Sequence, residues 1–185
     1  MDEHIPAIIN AWYPGESGGK AVAEVLFGDY NPGGRLPLTY YRSLDELPPF
    51  DDYDITKGRT YQYFKGNVLY PFGYGLSYTS FKYSDLQVTD GNQEVNVSFC
   101  LKNVGKYAGD EVAQIYVKLP ERDKIMPIKE LKGFERISLK RGESRKVTIR
   151  LKKDLLRYWD EEKECFVHPS GDLSLIHISE PTRLQ

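Results

Sequence analysis

The side chains best suited to chemistry are few and scattered along the 185 residues. Glu16 stands in Tyr13-Pro14-Gly15-Glu16-Ser17-Gly18-Gly19, a turn-rich loop between an apolar run and a helical pattern. Ligands of open α/β sheets approach the carboxyl ends of strands, so a carboxylate there is placed to bind one. It is equally placed to interact with the dipole of the following helix. Arg59 and Tyr61 lie in Gly58-Arg59-Thr60-Tyr61-Gln62-Tyr63-Phe64, where they can either line a cleft or pack between domains. Asp51, Asp52 and Asp54 form an acidic cluster without partner ligands at metal spacing, which reads as a solvated loop. Asp29 and Arg35 flank a turn and read as a structural salt bridge. A phosphate loop over Gly15 to Lys20 fails, because Pro14 holds the first glycine position and Ala21 the Ser/Thr position. His4, His168 and His177 are scattered, and no Ser-His-Asp arrangement emerges. Asn96-Val97-Ser98 matches a glycosylation acceptor but falls within an expected strand. Neither a cofactor site nor a metal site can be drawn from these residues.

Three regions and a tail must position these groups. In the first, residues 1–41, the apolar run 5–12 predicts a strand buried on both faces. Ser17 can cap a helix from Gly18 to Phe27, with Ala21, Val22, Val25 and Leu26 on one face and Gly28 ending it in the left-handed conformation. Asn31-Pro32-Gly33-Gly34 is a turn, and residues 36–41 predict a second short strand. One strand–helix–strand unit cannot cover both faces of its strands, so it reads as the remnant of a larger α/β sandwich. The second region, residues 42–79, is rich in Pro, Gly, Asp and aromatics and has little periodicity. A flexible linker is polar and poor in rings. This segment is therefore expected to lie pinned across a surface.

The third region, residues 80–175, alternates with period two. Val95, Val97, Phe99 and Leu101 face one way, as do Ala113, Ile115, Val117 and Leu119, and Val147, Ile149 and Leu151. Asn96, Ser98, Cys100, Gln114, Tyr116, Lys118, Lys146, Thr148 and Arg150 fall on the opposite phase. Strands with one apolar face, punctuated by Gly105, Gly133, Gly142 and Gly171, predict a β-sandwich. The outward phase of Cys100 argues against a buried disulfide with Cys165, and two cysteines do not reveal the compartment. The net charge of −2 directs the chain neither to nucleic acid nor to an anionic membrane. No apolar stretch approaches the roughly 20 residues needed to span a bilayer. The 14 tyrosines suit carbohydrate or protein contacts, or half-buried strands.

Several strings, in this order, resemble glycoside hydrolase family three. They are Ala11-Trp12-Tyr13-Pro14-Gly15-Glu16-Ser17-Gly18-Gly19, Val25-Leu26-Phe27-Gly28-Asp29-Tyr30-Asn31-Pro32-Gly33-Gly34-Arg35-Leu36-Pro37, Gly58-Arg59-Thr60-Tyr61-Gln62-Tyr63-Phe64 and Leu69-Tyr70-Pro71-Phe72-Gly73-Tyr74-Gly75-Leu76-Ser77-Tyr78, continuing through Gly109-Asp110-Glu111-Val112-Ala113-Gln114 and Leu131-Lys132-Gly133-Phe134. The resemblance implies a mainly β chain, a fibronectin type III-like sandwich preceded by an α/β remnant. The parent it implies is a retaining β-glucosidase or β-xylosidase that takes oligosaccharides or aryl glycosides through two carboxyl groups. In the family the nucleophile lies on an N-terminal barrel and the acid on the upstream α/β sandwich. Both are therefore expected before Met1, and no catalytic role is carried onto this sequence. Glu16, Arg59 and Tyr61 remain as candidate substrate-binding residues. From Leu173 the sequence departs from the family and resembles a translated sequencing adapter. Residues 173–185 are thus expected to be non-native and the closing strand to be missing. The alternative function is a stand-alone carbohydrate-binding or spacer module.

Overall fold

The computed structural model describes residues 4–120, 125–168 and 174–177. It contains α1 (Gly18–Phe27), β1 (Tyr40–Tyr41), α2 (Thr60–Tyr63) and β2 (Val68–Tyr70), then β3 (Phe81–Asp90), β4 (Glu94–Asn103), β5 (Gly109–Lys118), β6 (Glu130–Leu139) and β7 (Ser144–Lys152), and last β8 (Tyr158–Asp160), β9 (Cys165–Val167) and β10 (Ser174–His177). The chain is mainly β. Two antiparallel sheets, β3–β4–β7 and β10–β5–β6, face each other. Their inward residues form one core: Val97, Phe99 and Leu101 from β4, Ala113, Ile115 and Val117 from β5, Ile137 and Leu139 from β6, and Val147, Ile149 and Leu151 from β7. The period-two alternation is the reason, because a strand presents every second residue to one side.

Gly133 lies in the middle of β6, opposite Ile115, and does not mark a strand end. A Cβ there would stand 2.6 Å from Leu151 Cδ2 and 2.9 Å from Ile149 Cγ2, so the two sheets touch at that point. Gln114 and Tyr116, on the phase expected to face solvent, are also buried. The second region covers that face of β5.

The first region differs most from expectation. Residues 5–12 form no strand, and Ile5, Ile8, Ile9 and Trp12 are exposed. A strand needs neighbours to satisfy its backbone, and none of the described strands pairs with this run, which touches β1 only through Asn10 donating to the Tyr40 hydroxyl among the side-chain hydrogen bonds. Helix α1 spans the expected residues and ends on Gly28 at φ 85, though Ser17 contributes no side-chain cap bond. The strand expected over residues 36–41 shrinks to Tyr40–Tyr41, which pairs with β2 across the 41/42 boundary. Leu36 instead bonds through its own N–H and carbonyl to the Tyr74 carbonyl and the Gly73 N–H.

Ser174–His177 pairs antiparallel with β5, where the closing strand was expected to be missing. Ladder pairing uses backbone groups and asks little of side-chain identity, so the broken alternation at Leu175-Ile176 does not prevent it. Residues 173 and 178–185 of the expected tail lie outside the described residues. Cys100 and Cys165 are both free thiols. Among the described residues no helix is long and apolar enough to cross a membrane.

Candidate functional site

The segment after α2 crosses the outer face of β5 and is held there by rings. Tyr61 stacks on Phe72 at 4.2 Å, and Tyr116 meets both edge-on at 5.9 and 6.4 Å. The Tyr116 hydroxyl donates to Gln114 Oε1 at 2.7 Å, and Gln114 Nε2 donates to the Gly73 carbonyl at 3.1 Å. Gly73 sits at φ 81, and a Cβ there would lie 2.3 Å from Gln114 Oε1, so only glycine lets the backbone come this close. The Leu131 N–H donates to the Tyr61 hydroxyl at 3.1 Å, and the Lys129 ammonium lies 5.0 Å over the Tyr116 ring. Burial pushes the Tyr116 hydroxyl's pKa up and the Lys129 ammonium's down. Tyr61, half-buried, is therefore part of a packed seam.

A second seam is ionic. Arg35, from the turn after α1, pairs with Glu111 Oε2 at 2.7 Å, both side chains largely removed from water. The Tyr83 hydroxyl donates to the other carboxylate oxygen at 3.0 Å. Arg35 thus finds Glu111 on the sandwich, where the sequence suggested the nearby Asp29. Burial raises the Glu111 pKa, against the opposing pull of Arg35 and of the Tyr83 hydrogen bond. A buried carboxylate with a raised pKa is a familiar sign of an acid catalyst. Here both oxygens are already engaged, and the group acts as a pin. Around it, Asn31 Nδ2 donates to the Ala108 carbonyl, while its Oδ1 accepts from the Tyr78 N–H and the Ser77 hydroxyl. Arg136 bonds Asp110 and the Tyr30 hydroxyl, and the Ser138 hydroxyl, with that arginine, holds the Asp110 carboxyl below its usual range.

Arg59 acts on a loop. Its guanidinium donates to the carbonyls of Asp52 (3.0 Å), Pro48 (3.1 Å) and Pro49. Within that loop Asp52 binds Lys57 at 2.7 Å, and Asp54 caps the following turn through Thr56. Thr60, a β-branched residue at φ 61, is held there by its N–H donating to the Tyr41 hydroxyl at 2.7 Å. Such strain costs of order 1–3 kcal/mol and needs this kind of support. A shallow depression lined by Glu46, Thr56, Tyr63, Phe64 and Lys65 lies beside the loop. Glu16 is exposed in the turn leading into α1. No hydrogen bond or ion pair joins it to Arg59 or Tyr61, so the three candidates do not form one constellation. Among the described residues no group of His, Cys, Asp and Glu could hold a metal ion.

Glu111, Gln114 and Tyr116 were not singled out from the sequence. A signal existed for Glu111, which shares the inward phase of Ala113, Ile115 and Val117. A carboxylate on a buried register demands a partner.

Residues 1–78 match the family model described as the glycosyl hydrolase family 3 C-terminal domain, and residues 111–178 match the fibronectin type III-like domain. The chain belongs to glycoside hydrolase family three. It is 43% identical over 178 residues to a xylan 1,4-beta-xylosidase of Xylanibacter ruminicola, covering 95% of this chain and 20% of that protein. A periplasmic beta-glucosidase of Salmonella typhimurium is 36% identical over 184 residues, covering 91% and 24%. The family-three chain thus spans about a fifth to a quarter of the length of these curated relatives. Among solved structures, a beta-D-glucoside glucohydrolase from Trichoderma reesei superposes with TM-score 0.81 at 29% identity, over 89% of this chain and 27% of that one. A β-glucosidase from Erythrobacter marinus does so with TM-score 0.81 at 36% identity, over 98% and 25%.

Proposed function

We propose that this chain is the C-terminal portion of a retaining β-glycosidase that removes terminal β-linked glucose or xylose units from oligosaccharides or aryl glycosides, and that the portion alone is inactive. The observation that carries the reading is the ordered match of both regions to one enzyme family, at 43% identity to a relative named for β-xylosidase activity. Retaining hydrolysis needs two carboxyl groups about 5–5.5 Å apart across a scissile bond. Among the described residues, Glu111 is buried and fully engaged, and Asp52 and Asp54 brace their own loop. The partner in this reading is an N-terminal barrel, which the exposed Ile5, Ile8, Ile9, Trp12, Leu26 and Phe27 would help to seat. The purified chain is expected to release no p-nitrophenol from p-nitrophenyl β-glucoside or β-xyloside above a buffer blank. Clear turnover that a Glu16→Gln change abolishes would overturn the inactivity.

A stand-alone carbohydrate-binding module draws support from Phe50 and Tyr53, which stand 93% and 85% exposed on the loop that Arg59 braces. On that reading, xylo- or cello-oligosaccharides give a saturable change in intrinsic fluorescence. A flat titration removes it.

A further inference from the structure

The outer face of the β3–β4–β7 sheet carries an unbalanced charge. Residues directly opposite in an antiparallel pair share a face. The register sets Lys82 against Lys102, Cys100 against Lys146, Asn96 against Arg150 and Glu94 against Lys152. Val97, Phe99 and Leu101, on the other phase, fill the core, so these residues look outward. The five cations Lys82, Lys102, Lys146, Arg150 and Lys152 are all exposed, and none makes an ion pair among the described residues. Glu94 stands opposite Lys152 as the facing carboxylate. Of the acids at the rim, Asp90 pairs with Lys153 at 2.8 Å and Glu143 with Arg145 at 2.9 Å, while Asp85 accepts from the Ser84 hydroxyl at 3.0 Å and keeps its charge. Near the Lys102 end, where β7 begins, lies an open groove lined by Lys140, Arg141 and Arg145 together with Asp110 and Glu143.

The chain as a whole has 25 cations and 27 anions, so this is segregation within a nearly neutral protein. Stability does not account for it, because like charges directly across a ladder, as at Lys82 and Lys102, oppose pairing. Between the cations the face presents Ser84, Gln87, Thr89, Asn96, Ser98 and Thr148, which suit sugar hydroxyls. With a rise of about 3.3 Å per residue, Lys146, Arg150 and Lys152 spread over roughly 20 Å along β7. We propose that this face binds a polyanionic glycan, an extended β-linked chain carrying uronic-acid carboxylates. The choice of a glycan as the polyanion rests on the glycosidase reading above. Duplex nucleic acid is favoured by arginine forks and stacking rings, whereas these five cations include one arginine and the face shows no aromatic. A membrane surface needs several apolar side chains to insert, and the register places only Cys100 among these cations, with Leu86 exposed in the bulge of β3.

Affinity electrophoresis of the full chain in gels containing 4-O-methylglucuronoxylan tests this, with the carboxyl-reduced form of the same polymer as control. The expected result is retardation by the acidic polymer that falls as salt is raised, none by the reduced one, and loss of retardation in a Lys102→Gln, Lys146→Gln, Arg150→Gln variant with an unchanged circular dichroism spectrum. Should that triple variant misfold, Lys146→Gln alone must weaken the retardation. Absence of retardation, or equal retardation by the reduced polymer, overturns the proposal. So does equal or tighter binding to duplex DNA or to phosphatidylserine vesicles. Binding is read here without turnover, so an active chain would sink the inactivity reading and leave this result standing.

Discussion

Glu111→Ala is expected to destabilise the protein by about 3–5 kcal/mol, the usual cost of stripping one partner from a buried ion pair. The change leaves the Arg35 guanidinium enclosed, with the carbonyls of Gly33 and Gly34 as its remaining acceptors, and leaves the Tyr83 hydroxyl without that carboxylate. The pair itself is a poor source of net stability. Burial raises the Glu111 pKa above its ordinary 4.5 in spite of Arg35, so desolvation outweighs what the partners return. The folded state therefore holds this proton more tightly than the unfolded chain does. Stability from the group is fully present below pH 4.5 and is lost as pH climbs through the raised folded value. Urea midpoints taken across this range should show the parent losing ground to a Glu111→Gln variant, which does not titrate. A joint Arg35→Met, Glu111→Leu replacement should recover most of the loss seen in Glu111→Ala, since neither charge is then stranded. A joint variant as unstable as Glu111→Ala would show that the pair contributes more than this.

Tyr116→Ala is expected to cost about 3–5 kcal/mol, as for other large aromatic truncations in a core. Tyr116 is fully buried and touches Tyr61, Phe72, Gln114 and Lys129 together. Its loss opens a void beneath the crossing segment and removes the donor to Gln114, the residue that grips the Gly73 carbonyl. The first consequence should be local. Limited proteolysis of Tyr116→Ala is expected to cut within residues 42–79 under conditions that leave the parent intact. Tyr116→Phe, which keeps the ring and loses the hydroxyl, should cost only about 0.5–1.5 kcal/mol and leave the segment protected. Cleavage that starts inside the sandwich instead would mean that the crossing segment is not held by this ring.

Both variants act where one region meets another, and the sequence was least informative there. The core of the sandwich was legible because each strand repeats its apolar residues at every second position, and that period follows from local geometry. Helix α1 and its Gly28 terminus were legible for the same reason: apolar face and left-handed stop both act within a few residues, although Ser17 makes no cap bond. The apolar run of residues 5–12 misled. Composition can announce a strand, but a ladder needs a neighbour that composition does not supply. Arg59 and Tyr61 were recognisable as residues with a task, yet whether they met a ligand or their own chain depended on what lay opposite.

By itself, then, the sequence determined the family, the sandwich and its inward-facing residues, since each is written in local order and period. Tertiary structure alone decided that β5 would be buried on both sides, that Arg35 would cross from its own turn to Glu111, and that the cations of β3, β4 and β7 would gather on one sheet face. Those outcomes depend on register between segments distant in sequence. Shifting one strand by one residue would turn that strand's own side chains to the opposite face.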